Sequence, residues 1–210
     1  MLKLIKHITP FLIVQFIFIL IISVILLNFN KNEAHIRVNQ YHHTILDYIF
    51  YILTQSVEFW SCLIIFTIVG IVKNYKLGLI GFITYAITGL LAQLLKRNVF
   101  SDFNRPTYNI NNLRLIPDYF NFEQHSNFSF PSGHSTAAFT VFIFLALIST
   151  SKKWMILFAI LACLVALSRV YLSQHYFIDI IAGSILGSGF TIIIYFFLKK
   201  LFLKPKKANL

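Results

Sequence analysis

Six long apolar runs, at about 10–27, 57–72, 77–95, 133–149, 154–170 and 178–198, leave this chain few folds to adopt. A helix that crosses a bilayer needs roughly 20 apolar residues, with about 17 as a working minimum. The second and fourth runs are short, and each can gain a turn from the residues before it. Inside hydrocarbon every backbone N–H and C=O must be satisfied within the chain, so runs of this kind are expected to be helices. Charged residues make up 12% of the sequence, half of the roughly 25% a soluble domain carries. Too few remain to cover a water-facing surface. The expectation is an all-α chain forming a single integral membrane domain over residues 1–210, a six-transmembrane-helix bundle.

The first run follows Lys3 and Lys6, as a signal core would. It is longer than a signal core, no small-residue cleavage site follows, and it reads as a retained span. Residues 44–54 are apolar but interrupted by Asp47, and they carry Tyr48, Phe50 and Tyr51. That pattern suits an additional helix lying in the membrane interface. Cys62 and Cys163 both sit inside apolar runs and read as buried packing residues.

Charge fixes the orientation. With six spans, one face receives eleven lysines and no acid, including Lys3, Lys73, Lys152, Lys204, Lys206 and Lys207. The other face receives every arginine and every acid, Asp118 among them, and sums to zero. The positive-inside rule makes the lysine face, with both termini, cytoplasmic. The net charge of +11 is scattered between apolar runs and forms no basic stripe, so a nucleic-acid partner is not expected. Polar diversity is concentrated in three outer segments, 28–56, 96–134 and 169–177, and function is expected on that side.

Several chemically capable residues meet at the outer membrane level under this topology. Lys96, Arg97, Arg105 and Arg169 supply cations, and the arginine fork matches phosphate oxygens two at a time. Pro131-Ser132-Gly133-His134 opens the fourth span. Pro131 suits a first helical turn, and Ser132 and Gly133 are expected to leave amides free for an anion. His175 and Asp179 stand four residues apart, so the carboxylate can orient the imidazole. With His134 nearby, two histidines flank one anion site, which suits a nucleophile and a general acid. The same histidines and Asp179 are also zinc-ligand types, but the crowded cations would repel a divalent ion. His7, His35, His42, His43 and His125 read as interface residues or hydrogen-bond partners.

These residues match a known pattern, and the chain resembles the type 2 phosphatidic acid phosphatase superfamily, in its membrane-bound lipid phosphatase branch. The pattern has three parts: Lys-x6-Arg-Pro, Pro-Ser-Gly-His and Ser-Arg-x5-His-x3-Asp. The second stands intact at residues 131–134, and the third runs intact from Ser168-Arg169 through His175 to Asp179. The first departs from it: eight residues separate Lys96 from Arg105, and Asn98 occupies the strict lysine position. Lys96 is favoured for that role, with Arg97 as its alternative.

The resemblance implies an active site at the outer membrane face and a metal-independent phosphatase that uses no cofactor. His175 would attack phosphorus, Asp179 would orient it, and His134 would protonate the leaving oxygen. Lys96, Arg105, Arg169 and the Ser132–Gly133 backbone would bind the phosphoryl oxygens. Competing readings are a vanadium-dependent haloperoxidase-like enzyme and a non-catalytic lipid-phosphate-binding membrane protein. A transporter would carry more polar residues through its spans than Gln15, Gln93 and a few Ser and Thr. The substrate is expected to be phosphatidic acid, phosphatidylglycerol phosphate, undecaprenyl diphosphate or lipid A phosphate. The loop aromatics Tyr108, Tyr119, Phe120 and Phe122 are expected to select among them. The compact six-span form suggests a bacterial inner membrane with the site facing the periplasm. No residue specifies an oligomeric state.

Overall fold

A computed structural model describes residues 1–117, 120 and 122–203. Asp118, Tyr119, Lys204, Lys206 and Lys207, which enter the charge and loop arguments above, lie outside the described residues. The regular elements among the described residues are all helices, with no strand. The helices are α1 (Leu2–His7), α2 (Thr9–Asn28), α3 (Lys31–Asn39), α4 (Thr44–Gln55), α5 (Phe59–Val72) and α6 (Tyr75–Asn98). After them come α7 (Pro106–Asn109), α8 (Gly133–Ile148), α9 (Lys152–Tyr171) and α10 (Phe177–Phe202).

Among the described residues, four helices are long and apolar enough to cross a membrane: α2, α6, α9 and α10. A fifth span results if α4 and α5 count as one, although a 59° bend separates them. The second apolar run therefore gains no turn from the segment before it; α5 begins at Phe59, after a break at residues 56–58. The apolar stretch at 44–54 is a helix, as expected, and ends at this break. The sequence reading gave no sign of α3. Asn30 starts it by accepting the amides of Asn32 and Glu33 at 3.1 and 3.0 Å, while Glu33 accepts the Asn30 amide, a reciprocal cap.

The core is organised around α8, a helix of 16 residues packed by α6, α9 and α10. Most of its side chains are buried, so it is apolar on every side and shorter than its neighbours. Small residues on α10 allow the closest approach. A Cβ on Gly183 would stand 2.6 Å from the Ser132 carbonyl, and one on Gly187 would run into the carbonyl of Thr136. Backbones that approach this closely pack well where lipid supplies no hydrophobic drive between helices. The contact also sets the start of α10 against the start of α8. Buried polar side chains lace the bundle further: Gln15 of α2 donates to the Ser184 carbonyl at 3.1 Å and accepts from Ser188 at 2.9 Å. Thr140 of α8 donates to Thr88 of α6 at 3.0 Å.

Candidate active site

One end of the bundle gathers the end of α6, the starts of α8 and α10, the end of α9 and the α4–α5 break. Between them lies a cavity of about 430 Å³. Lys96, Arg105, Gly133, His134, Arg169 and His175 line it, although as many as 79 positions separate them in sequence.

Lys96 enters this cavity because α6 buries a stripe at every fourth residue, Thr84, Thr88, Ala92 and Lys96, against its neighbours. Arg97 lies about 100° further around the helix. It is exposed and lines an adjoining cavity beside the loop, which shares Lys96 and Arg105 with the first. Arg105 is held on three sides, twice by the loop and once by the α9–α10 connection. Its amide donates to the Ser126 carbonyl at 2.8 Å, its Nε to the Asn127 carbonyl at 2.9 Å, and its Nη1 to Gln174 Oε1 at 2.5 Å. Burial pulls its guanidinium down to about 10, offset by the Asp179 carboxylate, so it remains a cation at neutral pH. Arg169 is buried at the end of α9, with Nη1 donating to Thr54 and Phe122 lying 5.5 Å from its Cζ. Its Nε has no partner among the described residues, which leaves a buried donor available to an anion.

His175 sits in the tight connection between α9 and α10. The Arg169 carbonyl accepts the amides of both Gln174 and His175, and Ser173 takes the left-handed conformation at φ 57° to make the turn. His175 Nδ1 faces Ser129 Oγ and Asp179 Oδ2, each at 3.4 Å. Its Nε2 makes no hydrogen bond among the described residues, and the ring borders the cavity. Burial, reinforced by Lys96, Arg105 and Arg169, holds the imidazole well below its ordinary value. A histidine held neutral keeps a lone pair available at neutral pH. Asp179 lies behind it, outside the cavity, and Oδ2 also accepts from Ser129 at 2.5 Å and from the Tyr176 amide at 2.9 Å.

The start of α8 differs from the sequence reading. Pro131 precedes the helix, Ser132 is its N-cap, and Gly133 is its first residue. The Ser132 amide donates to the Asp179 carbonyl at 3.1 Å, and its Oγ accepts from the Ser135 hydroxyl at 2.9 Å. Ser132 is buried away from the cavity and ties α8 to α10. The amides without a partner among the described residues are those of Gly133 and His134, one step further on. They meet the positive end of the helix dipole. A Cβ on Gly133 would meet only Gln93, at 4.0 Å, so the missing side chain leaves cavity space and serves no packing need.

His134 Nε2 lies 2.7 Å from the Glu58 carboxylate. Four of the remaining histidines are hydrogen-bond partners. His7 reaches the Ser149 carbonyl and His35 the Ser173 hydroxyl; His42 pairs with Asp47, and His43 caps α4. His125 instead lines the cavity, 3.7 Å from Glu123. Sequence reasoning missed Glu58, Ser129, Gln174 and Thr54 as members of the site. Gln174 lies inside a variable stretch of the motif, and the others belong to no motif. Arg114 is a strut: it donates to the His42 carbonyl at 2.7 Å, and its amide to Asn39.

The PAP2 superfamily model matches residues 77–203, more than half of the chain. The chain belongs to the PAP2 superfamily. Phosphatidylglycerophosphatase B of Bacillus subtilis is 38% identical over 96 residues, covering 41% of this chain and 45% of that protein. A lipid A 1-phosphatase of Rhizobium johnstonii is 34% identical over 122 residues, covering 53% of this chain and 44% of that protein. The chain spans about half the length of the curated relatives it matches. A crystal structure titled as the first transmembrane PAP2 type phosphatidylglycerolphosphate phosphatase from Bacillus subtilis superposes with a TM-score of 0.62. It is 23% identical and covers 93% of this chain and 97% of its own, so the PAP2 membrane fold extends beyond the residues that carry motifs.

Proposed function

We propose that this protein is a phosphatase that hydrolyses a phosphate ester or diphosphate of a membrane lipid through a phosphohistidine on His175. One observation carries the reading. A neutral, buried His175 presents its open Nε2 to a cavity whose walls hold Lys96, Arg105 and Arg169. Nε2 attacks phosphorus in line. Asp179 and Ser129 hold Nδ1, fix the tautomer and stabilise the positive charge that develops on the ring. The three cations and the Gly133 and His134 amides receive the charge spread over the phosphoryl oxygens. His134 gives a proton to the departing oxygen, and water then releases phosphate from His175. Ser132 acts through packing, and Arg97 stands outside the site.

The setting supports a lipid over a soluble ester. Large apolar side chains such as Phe16, Ile21 and Trp60 are well exposed on the bundle surface, where hydrocarbon would cover them. Six spans follow if α8 counts as a short one and α4–α5 as a broken one. The lysine asymmetry then supports cytoplasmic termini and a site facing the periplasm of a bacterial inner membrane. The two curated relatives are named for a phosphatidylglycerophosphatase and a lipid A phosphatase activity, which keeps both headgroup types among the substrates to test.

Phosphate release in detergent from phosphatidic acid, phosphatidylglycerol phosphate, undecaprenyl diphosphate and lipid A is the deciding measurement. At least one is expected to be turned over, with His175→Ala inactive yet folded and membrane-inserted. Full activity in that variant would overturn the mechanism.

A further inference from the structure

We propose that Glu58 is a positioning residue for the proton-transfer step, holding the His134 imidazole in its charged form beside the departing oxygen. This rests on the reading of His134 as the proton donor. Glu58 sits at the break between α4 and α5 and occupies the N-cap position of α5, but its side chain makes no capping bond. It reaches across to α8 instead, where Oε1 lies 2.7 Å from His134 Nε2. Both residues line the cavity.

A proton donor must hold its proton before the reaction begins. Lys96, Arg105 and Arg169 share the cavity with His134 and oppose a further positive charge. Glu58 works against them at hydrogen-bond distance, joined by the anionic phosphate once it is bound. The second carboxylate in the cavity wall, Glu123, is largely exposed and turns to His125. The two histidines are therefore served by different acids: Asp179 steadies the one that attacks, and Glu58 the one that donates. With Nε2–H of His134 held by Glu58, Nδ1–H is the proton handed on. As the Nε2–P bond to His175 forms and the P–O bond breaks, that proton moves to the ester oxygen and the alcohol leaves. In the second half a water oxygen bonds to phosphorus, the N–P bond breaks, and the water proton returns to Nδ1 of His134. Glu58 remains a carboxylate throughout.

The test uses the full chain in detergent with two phosphate monoesters of equal apolar tail, one alkyl and one nitrophenyl. An alkoxide needs a proton to leave, whereas a nitrophenolate does not. Glu58→Gln keeps the shape and removes the charge. Its kcat on the alkyl ester is expected to fall about 10- to 100-fold, a share of what general acid catalysis contributes, with a far smaller loss on the aryl ester. KM on the alkyl ester is expected to stay within about twofold, since ground-state binding is untouched. Glu58→Asp, which retains the charge, is expected to recover much of the alkyl rate. A wild-type kcat for Glu58→Gln on the alkyl ester, or equal losses on both esters, would overturn the proposal. Should the aryl ester prove a non-substrate, the KM–kcat split and the Glu58→Asp rescue decide on the alkyl ester alone. His134→Ala separates this inference from the reading beneath it. If that variant fails to discriminate between the esters, His134 is not the donor. If it discriminates and Glu58→Gln does not, Glu58 alone is ruled out.

Discussion

Arg105 donates through Nη1 to Gln174 Oε1 at 2.5 Å, so the residue just before His175 fixes a cation from a loop 69 positions away. Gln174 Nε2 in turn donates to Gln124 Oε1 at 2.5 Å, which extends the brace to the far side of the same loop. Arg105 and His175, the proposed phosphate-binding cation and nucleophile, are thereby held by one short stretch of backbone.

Removing that brace is expected to loosen Arg105 without unfolding the chain. Gln174→Ala should lower kcat/KM about tenfold, as expected for one lost buried hydrogen bond to a charged group. Steady-state kinetics on the lipid that the panel identifies, with thermal unfolding as the control, checks this. Unchanged kinetics would mean that Arg105 is placed without Gln174.

Lys96 and Arg97 should separate cleanly. Lys96→Ala is expected to cost about 100-fold or more in kcat, the scale of losing one preorganised charge at the transition state. Arg97→Ala, exposed and facing the loop cavity, should stay within about threefold, the usual range for a surface change. Comparable losses in the two variants would undo this division of roles.

Stability should fall in acid through His35. Burial lowers this histidine to about 4, with His42 nearby reinforcing the shift. The folded state therefore refuses a proton that the unfolded chain accepts below about 6.5. Between those two values the unfolded chain binds more protons, so each unit of falling pH removes up to about 1.4 kcal/mol. Thermal unfolding from pH 7 to pH 4.5 should show a declining midpoint, and His35→Gln should flatten that decline. An equally steep decline in the variant would assign the effect to other groups.

Gly183→Val is expected to destabilise the bundle by about 1–3 kcal/mol, because the new side chain meets backbone of α8 and cannot rotate away. Activity should fall further than stability alone explains, since the same contact aligns Ser132 with Asp179. Gly189→Val, on the same helix and with nothing within 4 Å of its Cβ, is the matched control. An equal response from both glycines would remove the packing argument.

Much of the helical layout was legible because bilayer thickness converts an apolar run directly into a helix length. The runs at 77–95, 154–170 and 178–198 match α6, α9 and α10 with two to four residues to spare at most ends. The bend between α4 and α5 was not legible, since no residue type at 56–58 forces it; in the fold α4 packs on α9 while α5 packs on α6. Short polar helices such as α3 carry no length signal, and α3 rests on one reciprocal cap and on His35 and Asn39 meeting the α9–α10 turn.

The sequence by itself determined the residue types of the site, the four-residue spacing of His175 and Asp179, and the family to which the motifs belong. Local chemistry and chain geometry suffice for those. Which side chains share the cavity was decided only by the tertiary structure. Adjacent positions on α6 point about 100° apart, so packing against α8 and α10 buries Lys96 and leaves Arg97 exposed. The Ser132 amide is taken by a carbonyl 47 residues on, which shifts the free amides to Gly133 and His134. Glu58 meets His134 from 76 positions away for the same reason: a hydrogen bond across helices depends on where two backbones cross, and no local pattern encodes that crossing.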